Sequence, residues 1–184
     1  GRILTVNDGG SATIENVAMF NGDAQNFDTN GGGAILNTGV FTILNIRNSR
    51  IESNTAVDGG GILNDSTLFI YDSELANNEA SSLGGGLENN AVAVLVGVTV
   101  NNNSAVNYGG GLDNNQGDLL VINSEIRGNE SRNGGGIAQF NGDTKIVNTL
   151  FSGNVATNNG GAIQYEGGVD TTSSLYIVNS TISG

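Results

Sequence analysis

Gly triplets return through this chain at a nearly fixed interval. They stand at 31–33, 59–61, 84–86, 109–111 and 134–136, and Asn159-Gly160-Gly161 takes the next place, so the spacings run 28, 25, 25, 25 and 25. A second marker keeps the same period: Asn54, Asn78, Asn103, Asn129 and Asn154, each followed two residues later by Ala56, Ala80, Ala105, Ser131 or Ala156. Two markers on one period define a structural repeat, and repeats of this length stack.

Within each unit a short run alternates with period two, the sign of a strand with one face inside. The inward columns are Leu44/Ile46, Leu68/Ile70, Ala93/Leu95, Leu119/Val121, Thr144/Ile146 and Leu175/Ile177. A further inward column follows: Ile51, Leu75, Val100, Ile126, Phe151 and Ile182. A unit of about 25 residues with three short β-runs cannot bury a core alone. Stacked units can, with each run pairing with its copy roughly 4.8 Å away. The expected fold is therefore all-β: a parallel β-helix of about seven coils and ~35 Å length. It forms one domain over 1–184, with a divergent first coil (1–30) and regular repeats (31–184). Crossovers between parallel strands are almost always right-handed, so a right-handed helix is expected. A leucine-rich horseshoe would need helical or looped convex segments and an L-x-x-L-x-L pattern, and neither is present.

Corners explain the composition. Gly and Asn together account for 30 and 29 of 184 residues, and both tolerate the positive φ of tight turns. Asn repeated at one corner can also stack its amides into a ladder. Asn64, Asn89, Asn114, Gln139 and Gln164 form one expected ladder, and Asn54 through Asn154 another. The turn after the Gly strand is the variable loop. It carries three extra residues around Asn37–Val40 in the second unit and about six around Glu166–Ser173 in the last.

Composition excludes several functions. With no Cys and no His, disulfide frameworks, thiolate or imidazole metal sites and His-based nucleophilic catalysis are out. Six basic residues against 18 acidic ones, a net charge of −12, oppose nucleic-acid binding. No apolar run is long enough for a membrane-spanning helix. The basic candidates for a polysaccharide lyase, Arg50, Arg127 and Lys145, lie among Glu74, Glu125 and Glu130 in the pattern of a solvated charged face. Expected catalytic residues: none.

Glu88 and Asp113 share an outward position one coil apart, which sets their carboxylates about 5 Å from each other. They are weak candidates for a cation site, as are Glu166 and Asp170 in the last variable loop. Ca2+ is the ion that an acidic chain of this kind would take, since hard cations want oxygen ligands. Otherwise no cofactor is expected.

The outward columns of the middle run break the polar rule. They read Phe69/Tyr71, Val94/Val96, Leu120/Ile122, Lys145/Val147 and Tyr176/Val178 after Asn45/Arg47, nine of twelve positions apolar. A contiguous apolar patch marks an interface, so Phe69, Tyr71, Val94, Val96, Leu120, Ile122, Val147, Tyr176 and Val178 are expected to meet a second copy or another part of a longer chain. The open ends offer a second contact: Ile3, Leu4 and Val6 at one, Leu175, Ile177 and Ile182 at the other. Joining two such ends would be worth on the order of 10 kcal/mol before association entropy, enough for head-to-tail stacking.

The repeat resembles that of the polymorphic outer-membrane-protein (Pmp) family, whose marks are GGA[ILV] and FxxN. Gly32-Gly33-Ala34-Ile35 and Gly160-Gly161-Ala162-Ile163 match the first, and Phe151-Ser152-Gly153-Asn154 the second. Elsewhere the pattern relaxes to GGG[IL] and [IVL]xxN. Arg2-Ile3-Leu4-Thr5-Val6 with Asp8-Gly9-Gly10 also looks like the entry to β-helices of large bacterial surface proteins. The resemblance runs from about residue 31 to the end. It implies a right-handed β-helix exposed on, or secreted from, a bacterial cell, with a structural or adhesive role and no enzymatic one. Its partners would be itself, the rest of a longer surface protein, or host or matrix glycans. The alternative is a carbohydrate-binding or carbohydrate-active β-helix.

Overall fold

Every strand pairing in this chain is parallel and joins a segment to its own copy one repeat away. Leu87–Asn89 lies between Ile62–Asn64 and Leu112–Asn114; Val92–Val96 lies between Thr67–Tyr71 and Asp118–Ile122. The computed structural model describes residues 1–25, 31–167 and 173–184. It is a parallel β-solenoid, and its described residues contain no helix.

Four sheets run along the stack. Coil four shows the pattern: Leu87–Asn89 in the first sheet, Val92–Val96 in the second, Thr99–Asn101 in the third and Ser104–Tyr108 in the fourth. The first three sheets have seven strands each and the fourth has five. Seven layers are stacked, and the middle five contribute to all four sheets. The expected three runs per unit thus become four. The extra strand is the segment after the Asn marker, for example Thr55–Asp58 and Glu79–Leu83. Its sequence, rich in Ser, Thr and Asn, carries little β-pattern. Pairing with its copies holds it extended.

Leu4–Val6, Ser11–Glu15 and Ala18–Phe20 pair in register with the second coil. The insertions fall between Asn37 and Ile43 and between Tyr165 and Ser174, in the turn joining the first two sheets.

The core is a set of stacked columns. Leu44, Ile46, Leu68, Ile70, Leu95, Val121 and Ile146 are buried on the second sheet; Ile51, Leu75, Val100, Ile126 and Phe151 are buried on the third; Ile35, Ile62, Leu87, Leu112 and Ile137 are buried on the first. Each such Ile or Leu contributes about 1.5–3 kcal/mol by leaving water. In the last coil the same columns surface: Ile177 is 40% and Ile182 51% exposed. At the other end Val6 and Leu4 pack on the core, and Ile3, just before the first strand, is 45% exposed.

Corners carry the left-handed residues. Asn48, Asp72, Gly97, Asn123, Asn148 and Asn179 all have φ between 46° and 66°. Beside them runs a hydroxyl ladder. Ser73 Oγ accepts the Ser49 N–H at 3.0 Å, Ser124 Oγ the Val98 N–H at 3.1 Å, and Ser180 Oγ the Thr149 N–H at 3.1 Å. Each hydroxyl donates in turn to the carbonyl two residues back, as Ser73 does to Tyr71.

Asn54, Asn78, Asn103, Asn129 and Asn154 form an unbroken amide ladder, each Nδ2 donating to the next Oδ1 at 2.9–3.0 Å. The other ladder differs from expectation. It runs Asn37, Asn64, Asn89, Asn114 and then passes to Thr144 Oγ1. Gln139, one methylene longer, reaches past that line and donates to the Gly142 and Ser174 carbonyls instead.

Candidate functional sites

Glu88 and Asp113 are direct partners in adjacent strands of the first sheet. Their column points away from the core, as expected, but not toward solvent: Glu88 is 4% exposed and Asp113 not at all. The Gly triplets are the reason. Their first residue is left-handed (Gly84 φ 59°, Gly109 φ 62°, Gly134 φ 62°) and turns the chain back over the column. A Cβ on Gly109 would lie 2.8 Å from the Asp113 Cα, and one on Gly134 2.8 Å from the Ala138 Cα. Glycine alone allows that approach. The result is a re-entrant crease between the first and fourth sheets. Leu36, Leu63, Glu88, Asp113 and Ala138 form its floor, all buried. On the same side Tyr108 and Phe140 meet edge to face, with centroids 4.5 Å apart.

The crease is short of donors. Both Asp113 carboxylate oxygens, Glu88 Oε2, Asp58 Oδ1 and Asn90 Oδ1 are buried without a hydrogen-bond partner. Burial therefore pushes the Glu88 carboxyl up to about 8, with the charges of Asp58 and Asp113 adding to it and an Asn90 hydrogen bond opposing. Asp113 rises to about 7 through burial and then the Asp58 charge. Asp58 is also raised by burial, against hydrogen bonds from Ser82 and Leu83. Among the described residues no three His, Cys, Asp or Glu side chains converge closely enough to hold a metal ion.

The last loop gives less. Glu166 is exposed; its Oε2 accepts a 3.3 Å bond from Gln164 Nε2, and its backbone N–H donates to the Gln139 carbonyl. Asp170 lies outside the described residues.

On the second sheet the outward columns form a continuous, half-buried apolar face. Phe69, Tyr71, Val94, Val96, Leu120, Ile122, Val147 and Val178 are all intermediate in exposure, while Tyr176 is 58% exposed. Arg47 lies over the Tyr71 ring at 4.7 Å and Lys145 over the Tyr176 ring at 5.5 Å. Phe69 and Tyr71 stack with an interplanar angle of 9°. A depression of about 320 Å3 opens in this face between Val94, Leu120, Lys145 and Tyr176.

A shallow groove of about 850 Å3 lies at the corner of the second and third sheets, lined by Asn48, Arg50, Asp72, Glu74, Gly97 and Arg127 among others. Its basic groups are held by acids. Arg50 pairs with Glu52 at 2.9 Å and Glu74 at 3.1 Å, and Arg127 with Glu125 at 3.3 Å. The buried acids of the crease do not line this groove.

The hydroxyl ladder and the crease escape sequence reading in different ways. The recurrent Ser or Thr after the corner residue signals the first. Nothing in the outward column, which mixes Leu, Glu, Asp and Ala, signals burial.

Stacked coils, in-register parallel sheets and asparagine ladders define a β-solenoid repeat protein. Residues 148–166 match the Chlamydia polymorphic membrane protein (Chlamydia_PMP) repeat, so one segment of this parallel β-solenoid is similar to the repeat of a bacterial membrane-protein family. No curated protein and no solved structure matches the chain. No helix is long and apolar enough to cross a membrane among the described residues.

Proposed function

We propose that this chain is a non-enzymatic structural segment of a longer bacterial surface protein, a rigid β-helical rod that docks sideways on a second copy of itself. The match of residues 148–166 to the Pmp repeat, on a solenoid, carries the surface and structural part of this reading. Electrostatics support the lateral contact. The chain has a net charge of −12, so two copies repel over most of their surfaces. The two outward columns running from Asn45/Arg47 to Tyr176/Val178 contain no acid and two of the six basic residues, Arg47 and Lys145, while Asp118 and Asp143 stand at the start of the same strands. These two columns are mostly apolar and carry no charge that repels a second acidic copy. End to end, the surfaced Ile177 and Ile182 are covered by further coils, of the same polypeptide or of another copy. Glycans are a weaker reading, with the 850 Å3 groove as their place.

The mass of the particle in dilute solution tests this. A defined dimer that becomes monomer in Val94→Lys/Leu120→Lys, with unchanged circular dichroism, supports lateral docking. A monomer at all concentrations removes it. A mass that grows without limit and is insensitive to those changes points to end-to-end stacking alone.

A further inference from the structure

We propose that the crease between the first and fourth sheets is a binding site for one hard divalent cation of the Ca2+ class, held by the carboxylates of Glu88 and Asp113. The two residues are register partners in adjacent parallel strands, so their backbones stand about 4.8 Å apart, a span that one ion can bridge. Asp113 has no exposure, and both its oxygens lack a donor; Glu88, 4% exposed, leaves Oε2 in the same state. Asn90, which hydrogen-bonds Glu88, contributes a neutral oxygen, Oδ1, that is also buried and unpartnered. Every orphaned atom here is an oxygen acceptor. Buried acceptors without donors call for a bound water, proton or ion.

Four of the six basic side chains are engaged elsewhere. Arg50 and Arg127 pair with acids on the third sheet, and Arg47 and Lys145 lie over rings on the second. Since no three acidic side chains converge among the described residues, the ion takes two carboxylates, the Asn90 amide oxygen and water. Oxygen-only coordination with water completing the shell is what Ca2+ and Mg2+ accept. Asp58, which interacts with both acids, adds negative potential without being a ligand.

Calorimetric titration of the intact, EDTA-treated chain with CaCl2 tests this. We expect one ion per chain and a higher melting temperature. MgCl2 reports whether the smaller ion also fits. Glu88→Gln/Asp113→Asn keeps the side-chain volumes and should lose both the binding and the thermal shift; Asp113→Asn alone is the second variant if the double one does not fold. A Ca2+ shift of equal size in the variants would assign the ion to surface acids and overturn the site. So would absent binding in the unaltered chain.

Discussion

Asn129 Oδ1 accepts two hydrogen bonds from Asn103, one from its backbone N–H at 2.9 Å and one from its Nδ2 at 3.0 Å. The second Nδ2 proton of Asn103 goes to the Leu75 carbonyl at 2.9 Å, and its own Oδ1 accepts the same two bonds from Asn78. Every polar valence of the buried amide is used, which is the condition for burying it at all. Asn103→Ala orphans the Asn78 N–H and the Leu75 carbonyl together. We expect a loss of about 2–4 kcal/mol in denaturant melts, and a smaller one for Asn154→Ala at the ladder's end.

Leu119 and its stack neighbours test the register. Leu119 is 2% exposed between Ala93 and Thr144. Leu119→Asp places a carboxylate in an apolar column and should cost several kcal/mol or force a neutral acid. A melting curve like that of the unaltered chain would refute the column.

Two glycines separate sterics from backbone angle. A Cβ on Gly110 would lie 2.5 Å from the Gly135 carbonyl oxygen, so Gly110→Ala should push coils four to six apart and lower the melting temperature sharply. Gly153 has φ 58° and nothing within 4 Å of its added Cβ. The equivalent corner holds Asn77 and Asn102, and Gly153→Asn should fold with little change.

The crease makes stability depend on pH when divalent ions are absent. Folded Glu88 and Asp113 have carboxyls raised to about 8 and about 7 from ordinary values of 4.5 and 3.8. The folded state therefore holds protons that the unfolded chain has released. Stability from these groups is full below about pH 4, falls as pH rises through the window, and levels above about 8. Thermal melts in EDTA across that range should show the decline, and Glu88→Gln/Asp113→Asn should flatten it.

No catalysis is expected. Incubation with pectin, alginate or similar polymers should yield neither new reducing ends nor unsaturated products. Products that vanish in Glu88→Gln or Asp113→Asn would overturn the structural reading.

The repeat itself was legible because period and chemistry coincide. Ile46, Ile70, Leu95, Val121 and Ile146 announce an inward column, and Asn48, Asp72 and Asn123 announce left-handed corners, from spacing alone. Where the code is weak, reading fell short. The fourth sheet, as in Ser104–Tyr108, has no alternation to betray it. Gln139 looked interchangeable with Asn, yet one methylene takes it off the ladder. Val6 stands beside Asn37 in register, so Asn37 Oδ1 has no donor, which the ladder pattern did not disclose.

By itself, then, the sequence determined the coil: its length, its inward columns, its corners and the ladder from Asn54 to Asn154. Those depend on nearest neighbours along one axis, and a period reports nearest neighbours. Only the tertiary structure decided that an outward column can be buried. Glu88 and Asp113 lose solvent because Gly84 and Gly109, four residues earlier, fold the chain back over them. Alternation tells which side of a strand a residue faces, but not what the next corner brings against that side.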